Sequence, residues 1–92
     1  MIVRILDEGQ YRLDSRFVDR LNEIDDMLVA VVAGSGAGSF DALFAQMLEL
    51  VRTNGEPLGD SELAVSDVVL PSPSMGQDDL RALFTDEGVV PG

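Results

Sequence analysis

The strongest constraint on the fold is a helical repeat of apolar residues in the first half of this 92-residue chain. Between about Arg16 and Ala33, large apolar residues recur at spacings of four, three, four and three positions. This spacing places them on one stripe of an α-helix. The stripe consists of Phe17, Leu21, Ile24, Leu28 and Val31. The segment is therefore predicted to form an amphipathic helix that buries one face.

A second segment, from about Phe40 to Thr53, shows the same kind of repeat. Its stripe consists of Phe40, Leu43, Phe44, Met47, Leu50 and Val51. Ser39 can cap the start of this helix, because its hydroxyl can accept a hydrogen bond from a backbone N–H. Asn54-Gly55 is a typical helix end. Because the connection between the two segments is short, they are predicted to form an antiparallel helical hairpin.

Strands are predicted on either side of these helices. Ile2 to Leu6 is rich in β-branched residues, and after a turn the segment from Gln10 to Leu13 can return as a second strand. Val65 and Val68 to Leu70 favour a third extended segment, which Pro71 would end because proline cannot donate a backbone hydrogen bond.

A short third helix is predicted near the C-terminus, from about Met75 to Thr85. Ser74 and Gln77 resemble a capping box, and the side chains expected to face inward are Leu80, Leu83 and Phe84. The whole pattern predicts an α+β fold in one domain, 1–92. In this fold an antiparallel helical hairpin packs on a small two- or three-stranded antiparallel sheet, plus a short C-terminal helix.

The charge and composition restrict the function. The chain has 17 acidic and six basic residues, a formal net charge of −11, and neither His nor Cys. Nucleic acid and anionic lipid would repel such a chain, whereas a basic protein partner would attract it. The commonest general base and the commonest transition-metal ligands are missing. The sequence therefore predicts a non-enzymatic interaction module without catalytic residues, cofactor or metal.

The expected location is cytoplasmic, with no direct membrane insertion. No apolar run approaches the roughly 20 residues that a membrane-spanning helix needs. The first residues also lack the layout of a signal peptide.

Three acidic residues of the first helix are the candidate partner-binding site. Asp19, Glu23 and Asp26 recur at helical spacing on the side away from the apolar stripe. They could dock a basic helix. They could equally form an ordinary solvated face, because surface helices usually carry charge opposite their apolar stripe.

The glycine-rich connection from Gly34 to Ser39 allows a different interpretation. Gly34, Gly36 and Ser39 nearly match a dinucleotide-binding fingerprint, in which glycines let a phosphate approach a helix N-terminus. However, the preceding segment has a helical period, and no Lys follows as in a phosphate-binding P-loop. A connector between helices is favoured, and a nucleotide- or phosphate-binding module is the alternative.

Three groups of residues, taken in order, resemble the phage-shock-protein-A-associated family (PspAA). The first is Gly9 to Leu13 followed by Val18 to Asp25; the second is Val51-Arg52 before Asn54-Gly55, followed by Ser66 to Pro71; the third is Leu80 to Phe84 followed by Glu87 to Pro91. Each group is short, but their order and spacing cover nearly the whole chain.

This resemblance implies a small prokaryotic partner of a PspA-type protein. Proteins of that type are coiled-coil, membrane-remodelling proteins of the envelope-stress response. The resemblance also implies an adaptor or regulator that its partner can bring to the inner face of the membrane. Because the family carries no catalytic residues, none is assigned here. A self-associating structural domain, using the same surface in a homodimer, is a further alternative.

Overall fold

The computed structural model describes residues 1–34, 36, 38–59 and 64–84. The strands in these ranges are β1 (Ile2–Ile5), β2 (Gly9–Arg12), β3 (Glu56–Pro57) and β4 (Val68–Leu70). The helices are α1 (Val18–Val32), α2 (Phe40–Asn54) and α3 (Gln77–Leu83). The predicted α+β class is confirmed.

Helix α1 follows a short 3-10 turn, Ser15–Phe17. The carboxylate of Asp14 accepts a hydrogen bond from the backbone N–H of Arg16 at 3.0 Å, and this bond caps the turn. The predicted stripe is largely confirmed: three of its members, Leu21, Ile24 and Leu28, are buried. Phe17 and Val31, at the ends of the stripe, pack on the core while only partly buried. The α-helix begins two residues later than predicted because its first turn is wound more tightly.

Helix α2 begins and ends close to the predicted residues. The Ser39 hydroxyl accepts a hydrogen bond from the backbone N–H of Ala42 at 3.4 Å, as expected of an N-cap. Gly55 follows the last helical residue. Leu48 is buried although it lies outside the predicted stripe. The buried face is wider than the stripe because a second element, besides α1, packs on α2.

The second contact on α2 comes from the C-terminal end of α3. The Phe84 ring lies edge-on to the rings of Phe40 and Phe44, with centroids 5.6 and 6.1 Å away. The Arg81 guanidinium carbon lies 5.1 Å from the centroid of the Phe40 ring. Helices α1 and α2 also pack directly on each other; their antiparallel orientation stays a prediction.

The sheet differs from the predicted one. It has the strand order β3-β2-β1-β4, and β1 pairs with β2 antiparallel but with β4 parallel. The expectation of a two- or three-stranded antiparallel sheet is therefore wrong: the described sheet is four-stranded and mixed. Parallel pairing joins segments that are more than 60 residues apart, as in the register Val3 with Val68. Alternation within one strand carries no information about such a partner.

One face of the sheet supplies its part of the core. Val3 and Ile5 of β1 and Val68 and Leu70 of β4 are buried, while Arg4 and Val69 between them are exposed. This alternation follows from the period of two along a strand. The buried face joins the apolar side chains of α1 and α2 in one cluster.

Helix α3 is shorter than predicted, and its start is different. It begins at Gln77 after Gly76, which makes no side-chain cap. The proposed capping box is therefore wrong, because the Ser74 hydroxyl lies 2.8 Å from that of Ser72 instead. Leu80 and Phe84 are buried as expected, whereas Leu83 is 43% exposed. The predicted end of this helix, Thr85, lies outside the described residues.

Candidate interaction surface

The predicted acidic row lies on the exposed side of α1. Asp19, Glu23 and Asp26 are all exposed, and the core-facing residues of the same helix include Leu21 and Leu28. The Nη1 atom of Arg20 lies 2.6 Å from Oε1 of Glu23. Among the described residues, no ion pair forms to Asp19 or Asp26. The structure thus brings the three carboxylates to one face, and their role in binding stays a prediction.

Asp25, next to this row, has the opposite environment. Its residue is only 1% exposed, whereas Asp26 is exposed. Successive residues of an α-helix are separated by about 100° around the axis, so neighbours can point to different faces. The sequence pattern did not predict the burial of Asp25. Asp25 is four residues after Leu21 and therefore lies next to the apolar stripe, but this position alone does not decide whether a carboxylate is buried.

A shallow groove lies between α1 and α2, on the side of α1 that carries Arg20. It is lined by Arg20 and Ile24 from α1 and by Ala45, Gln46, Glu49 and Leu50 from α2. Ile24, Ala45 and Leu50 supply its apolar part. The groove borders the acidic row, because Arg20 binds Glu23. Sequence periodicity could not reveal it, since a groove needs the relative placement of two helices.

The glycine-rich connection is used to end α1. The backbone N–H groups of Gly34 and Gly36 donate to the carbonyl oxygens of Val31 and Ala30, at 3.1 and 3.0 Å. Gly34 has a φ of +83°, a conformation that glycine adopts without steric cost. A phosphate-binding loop needs free N–H groups, and these two already donate within the protein. The exposed carboxylate of Asp41 also lies in the first turn of α2, where its negative charge opposes the binding of a phosphate.

Gly36 has a second structural role. A Cβ atom at this position would lie 2.8 Å from the backbone nitrogen of Val31 and 2.9 Å from Cβ of Ala30. The close approach of the loop to α1 therefore explains this glycine. A Gly36→Val substitution would therefore disturb the end of α1, whether or not the loop binds a ligand.

An ion pair that the sequence analysis did not foresee joins the β1–β2 turn to the end of α2. The Nε of Arg52 donates to Oε2 of Glu8 at 3.0 Å, and Nη2 of Arg52 contacts Oε1 of Glu8. The hydrogen bond from Arg52 lowers the pKa of Glu8, and the same bond raises the pKa of Arg52. This bidentate pair holds the turn against α2 on the sheet side of the helix.

Metal-binding clusters and membrane-spanning helices are both absent from the described residues. In those parts of the chain, no group of three or more acidic side chains is arranged to hold a metal ion. No described helix combines the length and apolar character needed to cross a membrane.

The sequence was compared with known proteins. The family model for PspA-Associated protein (PspAA) matches residues 1–92. No curated protein and no solved structure matches the chain. The family match spans all the elements described above, including the acidic row and the groove. The chain therefore belongs to the PspA-associated protein family.

Proposed function

We propose that this protein is a non-enzymatic adaptor that binds a PspA-type protein. The observation that carries the proposal is the family match over all 92 residues. The family's description names association with PspA, and the acidic composition suits a basic protein surface. The partner is a coiled-coil protein of the envelope-stress response, and the adaptor is cytoplasmic and reaches the inner face of the membrane through it.

Binding uses the acidic row of α1 as an electrostatic docking face. Asp19 and Asp26 are exposed carboxylates outside any ion pair of the described residues. Exposed charges interact over about 8 Å at 0.15 M ionic strength and over shorter distances as salt rises. The affinity should therefore decrease with salt concentration, mainly through slower association.

Calorimetry with the purified PspA-type protein of the same organism tests this proposal. The variant combines Asp19→Asn, Glu23→Gln and Asp26→Asn. Its matched control combines Asp78→Asn, Asp79→Asn and Glu56→Gln, three exposed acidic residues elsewhere. Both proteins have a formal net charge of −8, because three of the eleven excess negative charges are removed.

We expect the α1 variant to bind more weakly than the control, by about tenfold, and to lose most of the salt dependence. Equal affinity of the two variants would show that the acidic row does not dock the partner. Absence of binding by the unaltered protein would contradict the adaptor role itself.

A further inference from the structure

The groove between α1 and α2 offers apolar surface next to Arg20, which is paired with Glu23 of the acidic row. Its accessible apolar surface comes from Leu50, which is partly buried, and from Ala45, which is small and exposed, while Ile24 beneath them is almost fully buried. A small residue on a helix surface lets another helix approach closely. Met27, which is 37% exposed, lies seven residues after Arg20 and therefore on the same side of α1.

The charges around the groove are predominantly negative. Glu49 lines the groove itself, and the acidic row borders it on α1. The cation that lines the groove is Arg20, and its Nη1 lies 2.6 Å from Glu23. Arg20, the cation that lines the groove, is thus already paired with a carboxylate.

We infer that this groove binds a basic amphipathic helix of the PspA-type partner. A helix with apolar residues at positions i, i+3, i+4 and i+7 would place them against Ala45 and Leu50. Lysine or arginine residues beside that row would face Glu49 and the acidic row. The inference rests on the proposed function and specifies where and how the partner docks.

Other occupants fit this surface less well. An added β-strand needs free backbone N–H and C=O groups, and the backbone groups of the facing helices are used within α1 and α2. A second copy of the chain would bring another formal charge of −11 against an acidic rim, and like charges at an interface cost several kcal/mol.

Gln46 allows a sharp test, because it is exposed and lines this groove. Gln46→Glu adds a negative charge with almost no change in shape, and Gln46→Arg adds a positive charge. Asp78→Asn is the matched control for the second variant. Both have a formal net charge of −10, and Asp78 is an exposed residue of α3.

The measurement is the affinity of each full-length variant for the purified PspA-type protein, with melting temperatures to confirm folding. We expect Gln46→Arg to weaken binding by about tenfold or more, and Gln46→Glu to strengthen it, while Asp78→Asn changes it by less than about twofold. Equal effects of Gln46→Arg and Asp78→Asn would overturn the inference, since the charge would then act without local contact.

A photo-crosslinking residue introduced at position 46 gives a second readout. The inference requires crosslinks to an apolar position on a partner helix that carries neighbouring Lys or Arg. Crosslinks confined to an acidic or non-helical segment would refute the groove model. Such a result would leave the adaptor role intact, whereas failure of the unaltered proteins to bind would remove both.

Discussion

The carboxylate of Glu8 and the guanidinium of Arg52 form a bidentate polar contact between the β1–β2 turn and α2. Both oxygens of Glu8 are engaged, by Nε and Nη2 of Arg52. The Arg52 side chain is 38% exposed and that of Glu8 is 24% exposed. Water and salt therefore screen the pair, and a contribution of about 0–1 kcal/mol to the free energy of unfolding is expected.

Replacement of Glu8 by glutamine should reveal this contribution as a pH-dependent difference. The hydrogen bond from Arg52 lowers the pKa of folded Glu8 below its ordinary value of 4.5. The stabilisation is thus present above pH 4.5 and is lost as the pH falls through the lower folded pKa. Urea unfolding of both proteins should show Glu8→Gln less stable at pH 7, with the gap closing below pH 4.5.

The control for this measurement is Glu56→Gln. Glu56 is exposed and outside the ion pairs of the described residues. A pH-independent difference for Glu8→Gln, or the same pH dependence in the control, would argue against the ion pair as the cause.

Residue identity predicted some environments and missed others. The Ser39 cap was predictable because capping depends on neighbouring residues. The burial of Asp25 and the pairing of Arg52 with Glu8, 44 residues apart, were not. From sequence alone, an acidic residue beside an apolar stripe is expected to be exposed to solvent. Its burial depends on how the surrounding elements pack.

At the scale of elements, the aromatic side chain of Phe84 packs the end of α3 against α2. Phe84 is 0% exposed and contacts the rings of Phe40 and Phe44. Leu83, its neighbour, is 43% exposed. The prediction that both face inward was half right, because a helix of seven residues has too few apolar positions to define its buried side.

The variants Phe84→Ala and Leu83→Ala should therefore differ strongly in stability. Loss of a buried phenylalanine typically costs about 3–5 kcal/mol, because it removes apolar burial and leaves a cavity. A surface substitution usually changes stability by about 0.5 kcal/mol or less. Chemical denaturation measures both differences. Similar losses for the two variants would contradict the packing of α3 described here.

At the scale of the whole molecule, the dominant property is the excess of negative charge. A formal charge of −11 on 92 residues opposes the compact state through self-repulsion. The same charge attracts a basic partner. Salt should therefore act in opposite directions on folding and on binding.

We expect the free energy of unfolding to rise between about 0.05 and 0.5 M NaCl. Over this roughly tenfold range the Debye screening length falls from roughly 14 to 4 Å. The affinity for the PspA-type protein should decrease over the same range. Urea unfolding at each salt concentration measures the first effect. Salt should raise the free energy of unfolding less for the variant with three neutralised residues of α1, since its formal net charge is −8. A free energy of unfolding that falls with salt would contradict self-repulsion. Weaker binding at high salt could then be caused by unfolding of the protein.

The sequence by itself determined the helices α1 and α2, the strands β1 and β4, and the exposed position of the acidic row. These features depend on periodicity and on local capping, which act over a few residues. Tertiary structure alone decided the parallel pairing of β1 with β4, the two-residue strand β3, the burial of Asp25 and the groove between α1 and α2. Each of these depends on contacts between distant segments, whose placement is decided by which apolar faces can be buried together.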